Sequence, residues 1–334
     1  MTDDIANMSD DEFQKMMAQE VSKFVDQEEQ NQLNANFDNV MQDDYDPYKM
    51  EQGDYLTKVF YILKEKLPDF ETYTFIVHNS NSYEQPFTAN HSLIGDKKVL
   101  IWTSGENKYH PEHLLKGKYH HVFAQYYWDT DNITSIPLGC YAKIDDEMTL
   151  TPMNERLFNM SFIGCLNRNR LELASIISKI PKTLMILSLY NKPNFMLNIL
   201  NHLVKFLLPK DYFMFTDNFG KGFDQKSYSN LLSSSKIVLC PRGWTNTESF
   251  RIYEAMKAGC VVITEALPDR SYYKGIPVMQ VDNWKDGLDL ARYYLKHPYL
   301  LEKKGAQCRK FYEEKLSPEA TAKIIMDKLA EKAI

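Results

Sequence analysis

Between Ser235 and Glu265 the chain reads SKIVLCPRGWTNTESFRIYEAMKAGCVVITE, an order of residue types suited to holding an anion. The apolar run Ile237–Cys240 has the length of a buried strand and stops at Pro241. A polar loop with Arg242, Gly243, Asn246 and Thr247 follows. Helical spacing resumes near Ser249, puts Arg251 and Glu254 in the first turns, and ends at Gly259 before another apolar run. In an open α/β sheet, ligands bind in the loops at the carboxyl ends of strands. A helix that starts there adds unpaired N–H groups and the positive end of its dipole, both suited to phosphate. Arg242 and Arg251 supply two planar charged forks matched to a diphosphate. Glu254, three residues beyond Arg251 on the adjoining helical face, is a carboxylate able to accept from two vicinal ribose hydroxyls. Phosphate forks plus a diol acceptor describe a nucleoside-diphosphate site.

The elements needed to position these residues are legible around them. In the first half, Tyr55–Lys66 has amphipathic helical spacing and stops before Pro68. Thr72–His78, Lys98–Thr103 and His120–Tyr126 read as strands, and Ile133–Leu138 leads into a Pro-Leu-Gly turn. In the second half, Asn159–Gly164, Thr183–Leu189, Tyr212–Thr216, Ile237–Cys240, Cys260–Thr264 and Ile276–Val281 read as strands. Helical patterns cover Arg170–Ile180, Asn194–Leu208, Ser227–Ser235, Ser249–Ala258, Trp284–Leu295, Tyr299–Lys315 and Pro318–Ala333. Strands alternating with helices imply βαβ units, parallel sheets and the α/β class, in two doubly wound halves. The expected divisions are a leader over 1–46, an α/β domain over 47–150, a nucleotide-binding α/β domain over 151–298 and terminal helices over 299–334. No GxGxxG follows a strand and no GxxxxGK[ST] occurs, which excludes nicotinamide-dinucleotide and P-loop readings.

At Ser235, Lys236, Leu239, Pro241, Gly243, then Ser249-Phe250-Arg251, Glu254-Ala255, and Ala258-Gly259-Cys260 with Val262, the chain resembles the exostosin-like glycosyltransferases, family forty-seven of the sugar-nucleotide-dependent enzymes. The family's proline before Val262 is replaced by Val261. Phe162-Ile163-Gly164 with Arg168 and Arg170 resembles the segment that opens the family's C-terminal domain, and Asn132–Gly139 the stretch before it. The resemblance runs from residue 130 to residue 270. It implies a GT-B fold: two Rossmann-like domains facing a cleft, the C-terminal one holding the sugar nucleotide and the N-terminal one the acceptor. It also implies inverting transfer with no metal and no other cofactor. Carried over by position, Arg242 and Arg251 neutralise the diphosphate, Glu254 holds the ribose, and Ser249 donates from the helix start. Gly243 lies in the same loop, and Arg168 or Arg170 adds a phosphate contact.

Residues 47–150 are short for an acceptor domain and match no family motif before residue 130. Their conspicuous stretch is Ile101–Asn107, a strand ending on Ser-Gly-Glu-Asn, and a similar Gly-Glu-Asn follows a strand in fucosyltransferase-like GT-B enzymes. An inverting transfer needs a base beside the acceptor hydroxyl. Glu106 and His110 are the candidates, with a helix cap or structural hydrogen bond as the competing role; His78 and Asp129 are lesser ones. Asp129-Thr130-Asp131 has the spacing of a manganese-binding pair but is discounted, because basic side chains and a helix dipole replace the cation in the implied fold. Tyr126-Tyr127-Trp128 reads as core or rim, with a sugar-stacking platform as the alternative.

The 334 residues carry a net charge of −6, but residues 1–46 hold thirteen acids against two bases, leaving a body of net +5. That body is too weakly charged for a nucleic-acid binder. With 44% hydrophobic and 13% aromatic residues the chain supports a sizeable core. No apolar run reaches membrane-span length, and the acidic start is no secretory signal, so the expected setting is cytoplasmic, in a bacterium or a virus. Five scattered cysteines with no CxxC read as buried thiols in a reducing compartment. In the leader, Phe13, Met16, Met17, Val21, Phe24 and Val25 share one helical stripe, with Ser9 and Glu12 as a capping box. A second, weaker stripe is Leu33, Phe37, Val40 and Met41. The acidic helical leader either packs on its own body or mediates docking or oligomerisation. The expected partners are a nucleotide sugar and a glycan, lipid-linked or protein acceptor, with polysaccharide biosynthesis as the setting. The alternative is a non-catalytic GT-B-like nucleotide-sugar-binding or scaffold protein.

Overall fold

A computed structural model of the chain describes residues 37–43, 53–79, 97–103, 118–141, 148, 150–191, 193–217 and 223–332. Two five-stranded sheets organise them. The first contains β1 (Val40–Asp43), β2 (Tyr73–Asn79), β3 (Lys97–Thr103), β4 (His121–Ala124) and β5 (Ile133–Ser135), in the order 1-2-3-4-5. The second contains β6 (Phe158–Cys165), β7 (Tyr212–Thr216), β8 (Ser235–Cys240), β9 (Val261–Glu265) and β10 (Met279–Val281), in the order 10-9-8-6-7. Every strand pair is parallel. This is the pair of Rossmann-like sheets that the sequence resemblance implied for a GT-B protein.

The apolar runs are continuous because both faces of each sheet are covered. Along β8, Ile237 and Leu239 enter one core and Val238 and Cys240 the other; β9 splits Val261 and Ile263 from Val262 in the same way. In the first sheet Val99 and Ile101 face one layer, Leu100 and Trp102 the other. The covering helices are α1 (Gly53–Lys66), α2 (Leu171–Ser178), α3 (Lys182–Asn191), α4 (Pro193–Leu207), α5 (Gln225–Ser233), α6 (Phe250–Lys257), α7 (Trp284–Leu295), α8 (Pro298–Phe311) and α9 (Pro318–Glu331). Their starts use short polar caps: Asp224 accepts from Ser227 N, Asn283 from Asp286 N, and Ser317 from Ala320 N with Pro318 in the first turn. Among the described residues no helix is long and apolar enough to cross a membrane.

Two segments depart from the sequence expectation. Thr183–Leu189 was expected as a strand and lies in the helix α3. A short apolar run does not distinguish a buried strand from a helix. Here Leu and Met, good helix formers, dominate the run. The first turn closes with Leu184 N and Met185 N donating to Pro181 O. The stripe Leu33, Phe37, Val40 and Met41 was expected as helical, and Val40–Asp43 is instead the edge strand β1. Pairing with β2 supplies its backbone partners, while Asn39 Nδ2 donates to Phe70 O and Tyr73 O at 2.9 and 3.0 Å. The stripe from Phe13 to Val25 lies outside the described residues.

The chain end returns to the first sheet. Ala322, Ile325 and Leu329 of α9 share a core with Tyr55, Val59, Phe60 and Leu63 of α1. Tyr55 Oη donates to Leu316 O at 2.8 Å and lies 2.7 Å from Thr321 Oγ1. Its ring crosses Gly139 so closely that a Cβ there would sit 2.5 Å from it; Gly139 also has φ +77°. That position therefore requires glycine twice over.

Replacing the fully buried Ile325 by Ala should cost about 2–5 kcal/mol of stability, read by urea unfolding. His121 gives a pH signature. Burial, reinforced by Lys332 and Lys328, lowers its imidazole from 6.5 to about 3, so the native state holds the neutral ring. The stability it contributes is present above pH 6.5 and is lost as pH falls toward about 3. Melting temperature should fall across that window by more in the wild type than in His121→Asn.

Candidate functional site

The second sheet changes its direction of winding at one place. From β6 the chain moves outward to β7, then crosses back over β6 to β8 and continues to β9 and β10. Strands β6 and β8 are direct neighbours, so the loops leaving them diverge from adjacent carboxyl ends. Such a switch point is where open α/β sheets bind ligands. The described strands of the first sheet run in sequence order and offer none.

The two loops are tied together by their own donors. After β6, Asn167 caps a short turn by accepting from Arg170 N at 3.2 Å. Asn169 Nδ2 donates to Gly243 O at 2.7 Å and to Trp244 O at 3.0 Å. Arg170, buried, donates Nη1–H to Cys165 O at 2.7 Å and Nε–H to Arg242 O at 3.2 Å. Arg168 is exposed beside it. After β8, Arg242 Nη2 donates to Thr245 O at 2.9 Å, and Gly243 N donates to Asn246 O at 2.8 Å, closing the loop. Ser249 then caps α6 by position, with φ −147°, while its hydroxyl makes no capping bond.

Arg251 reaches from α6 back to β6. Its Nη2 donates to Ile163 O and its guanidinium lies 4.7 Å from the centre of the Phe162 ring. Arg170 lies over the same ring at 5.5 Å. Gly164 makes this convergence possible: a Cβ there would lie 2.7 Å from Arg251 Nη2 and 3.2 Å from Arg170 Nη1. The structure thus brings Arg170, Arg242, Gly243, Ser249 and Arg251 to one place. Four buried polar side-chain atoms in it have no partner among the described residues: Asn167 Nδ2, Arg242 Nε, Ser249 Oγ and Arg251 Nε. All four can donate, which is the complement an anion or a polyhydroxylated ligand supplies.

Glu254 is buried on α6 next to this cluster. Its Oε1 accepts from Tyr141 N at 3.1 Å and its Oε2 from Tyr228 Oη at 2.8 Å. Burial raises its carboxyl above the usual range, against the opposing pull of Tyr228 and Arg251. Each oxygen keeps a further lone pair, so the carboxylate retains acceptor capacity while bracing the chain at Tyr141. Burial also pushes the Cys240 thiol up to about 12, leaving it a neutral packing group.

Glu106 and His110 lie outside the described residues. His78 is buried at the end of β2. Asp129 Oδ1 accepts from Ser135 N at 2.7 Å, a turn-closing role. Of the aromatic triplet, Tyr126 and Tyr127 are buried and Trp128 is half exposed at 50%. Sequence reasoning missed two features. Asn167 caps the turn after β6 and Asn169 stitches it to the loop after β8; capping-type residues just after a strand were the available signal. Glu248 is fully buried with Arg270, their carboxylate and guanidinium 2.8 Å apart, and Tyr272 Oη donates to the same carboxylate at 3.2 Å. Arg270 also donates to Tyr127 O, joining the segment after β9 to the segment after β4. No local pattern marks that pair.

A family model described as the RXYLT1 C-terminal domain matches residues 221–288. The residues from Ser235 to Val262 that carry the exostosin-like resemblance fall inside that span. No curated protein sequence matches the chain. Among solved structures the chain is similar to TarM, at 12% identity and a TM-score of 0.48, covering 82% of this chain and 57% of that one. It therefore spans less than two thirds of that protein. It is similar to a glycosyltransferase from Rickettsia africae ESF-5, at 13% identity and a TM-score of 0.48, covering 87% of this chain and 83% of that one. It is also similar to Anabaena HepE in complex with UDP and glucose, at 9% identity and a TM-score of 0.45, covering 77% and 78%.

Two substitutions separate scaffold from site. Glu248→Gln leaves the Arg270 charge buried without its counter-ion and should cost about 3–5 kcal/mol in urea unfolding. Ser249→Ala removes a hydroxyl with no partner and should change stability by less than about 0.5 kcal/mol in the same measurement.

Proposed function

We propose that the chain is a glycosyltransferase that takes a nucleoside-diphosphate sugar and passes the sugar to a hydroxyl acceptor. The observation that carries this reading is the set of four unpartnered donors, drawn from the two loops that meet at the winding reversal and centred on Arg242, Ser249 and Arg251. Guanidinium forks and a helix start are the groups that bind a diphosphate. The family-model match over the same segment supports the reading.

In the proposed reaction a base takes the proton of the acceptor hydroxyl. The acceptor oxygen forms a bond to the anomeric carbon from the face opposite the nucleotide. The bond from that carbon to the β-phosphate oxygen breaks, and the electron pair leaves with the diphosphate. This displacement inverts the anomeric centre. Arg251 and Arg242 stabilise the charge that grows on the leaving group, Ser249 donates to the same phosphates, and Glu254 accepts from the ribose hydroxyls. Arg168 and Arg170 border the phosphates, with Arg170 also holding the Arg242 peptide in place. Glu106 and His110 remain the proposed candidates for the base. No metal is assigned a role, because fixed positive groups take the place of a cation at the leaving group.

Calorimetry with a nucleoside diphosphate tests the site. Arg251→Ala should weaken binding by about 1.5–3 kcal/mol, the worth of a hydrogen bond to a charged group, with a smaller loss for Ser249→Ala. Unchanged affinity in both variants would overturn the assignment. Nucleotide release from a panel of sugar donors in the presence of a strong chelator tests transfer without a metal: turnover should persist.

A further inference from the structure

The outer surface of α3 and α4 is apolar and basic at once. On α4 helical periodicity places Phe195, Ile199, Leu203 and Phe206 on one stripe. Phe195 is 63% exposed and Phe206 82%, values far from those of core phenylalanines such as Phe215. Leu203 is exposed on the same stripe, and α3 adds exposed Leu184 and Ile186. The adjoining side of α4 accounts for its packing: Met196, Leu197, Leu200 and Val204 enter the core beside β7. Ile199 packs against that core, whereas Phe195, Leu203 and Phe206 stand exposed beyond it.

Along the sequence the charge on these two helices has one sign. From residue 173 to residue 210 the sequence contains no Asp or Glu. Lys179, Lys182, Lys205 and Lys210 are all exposed, and none forms an ion pair among the described residues. The nearest acids in sequence, Glu172 and Asp211, bound the stretch, and Asp211 is engaged with Met160 N at 3.0 Å. This basicity sits in a chain of net charge −6, so it is a local feature and not an overflow of general charge.

We propose that the outer face of α3 and α4 docks the protein on an anionic lipid surface. An interfacial helix buries aromatic and aliphatic side chains at the boundary between headgroups and acyl chains, while flanking lysines meet anionic headgroups. Phe195, Leu203 and Phe206 provide the first set, and Lys182, Lys205 and Lys210 the second. A water-soluble protein partner would need acidic groups matched to the lysines and apolar groups matched to the stripe. A bilayer with anionic headgroups presents both without a specific fold. The inference does not depend on the donor site, since none of its residues belongs to the winding reversal.

Co-sedimentation of the 334-residue chain with phosphatidylcholine vesicles, with and without phosphatidylserine, tests it. The wild-type protein should pellet with the phosphatidylserine vesicles, remain in solution with phosphatidylcholine alone, and be released by added salt. Each lysine near an anionic bilayer is worth about fivefold in partitioning, so Lys182→Glu/Lys205→Glu/Lys210→Glu should lower it at least about a hundredfold. Phe195→Ser/Phe206→Ser should lose pelleting at an unchanged melting temperature, because both side chains are exposed. Failure of the wild type to pellet, or equal pelleting by wild type and both variants, would overturn the proposal. So would light scattering, without vesicles, that finds a wild-type dimer and a Phe195→Ser/Phe206→Ser monomer, which would mean that a second copy covers this face.

Discussion

The direct pairing of β6 with β8 is the constraint on which the rest of the candidate site depends. It reverses the winding of the second sheet and leaves two adjacent carboxyl ends whose loops must part. The loop after β6 then supplies Asn167, Asn169 and Arg170, and the loop after β8 supplies Arg242, Gly243 and the start of α6. Neither loop is self-sufficient. Arg170 holds the Arg242 carbonyl, Asn169 holds those of Gly243 and Trp244, and Arg251 holds that of Ile163. Several charged donors are packed close together by giving them backbone carbonyls, and Gly164 gives the room.

That arrangement explains how a positively charged cluster with Arg170 buried and Arg242 and Arg251 half-buried persists. Guanidinium groups stripped of water are costly unless their donors are satisfied. The backbone carbonyls and the Phe162 face satisfy part of the Arg170, Arg242 and Arg251 donors. The atoms left over, Arg242 Nε and Arg251 Nε, are donors without a partner among the described residues. The two loops are thus held in place by contacts of their own.

A second layer of buried polar contacts connects the halves of the molecule. Glu254 receives the Tyr141 amide, Tyr253 Oη receives the Leu138 amide at 3.2 Å, and Arg270 bridges Glu248 and the Tyr127 carbonyl. Helix α9 closes the arrangement by packing on α1. The helix that carries Arg251 therefore also carries two groups, Tyr253 and Glu254, that grip the segment leading out of the first sheet.

Much of this was legible from residue order. The segment Ser235–Glu265 folds as its pattern implies, because an apolar strand-length run, a proline, a polar loop and a helical repeat are local signals that tertiary contacts reinforced. The alternation of both sheets was readable for the same reason. Where local signals were ambiguous, packing decided: Thr183–Leu189 became a helix and Val40–Asp43 an edge strand, since a short apolar run fits either geometry until its neighbours are known. The sequence by itself determined the two α/β halves and the chemical character of the Arg242–Glu254 segment, which are properties of neighbouring residues. Only the tertiary structure decided the glycine at 164, the Glu248–Arg270 pair, the grip of Glu254 on Tyr141 and the exposure of Phe195 and Phe206. Each of these depends on atoms from segments distant in sequence meeting, or failing to meet, in space, and no local spacing encodes that.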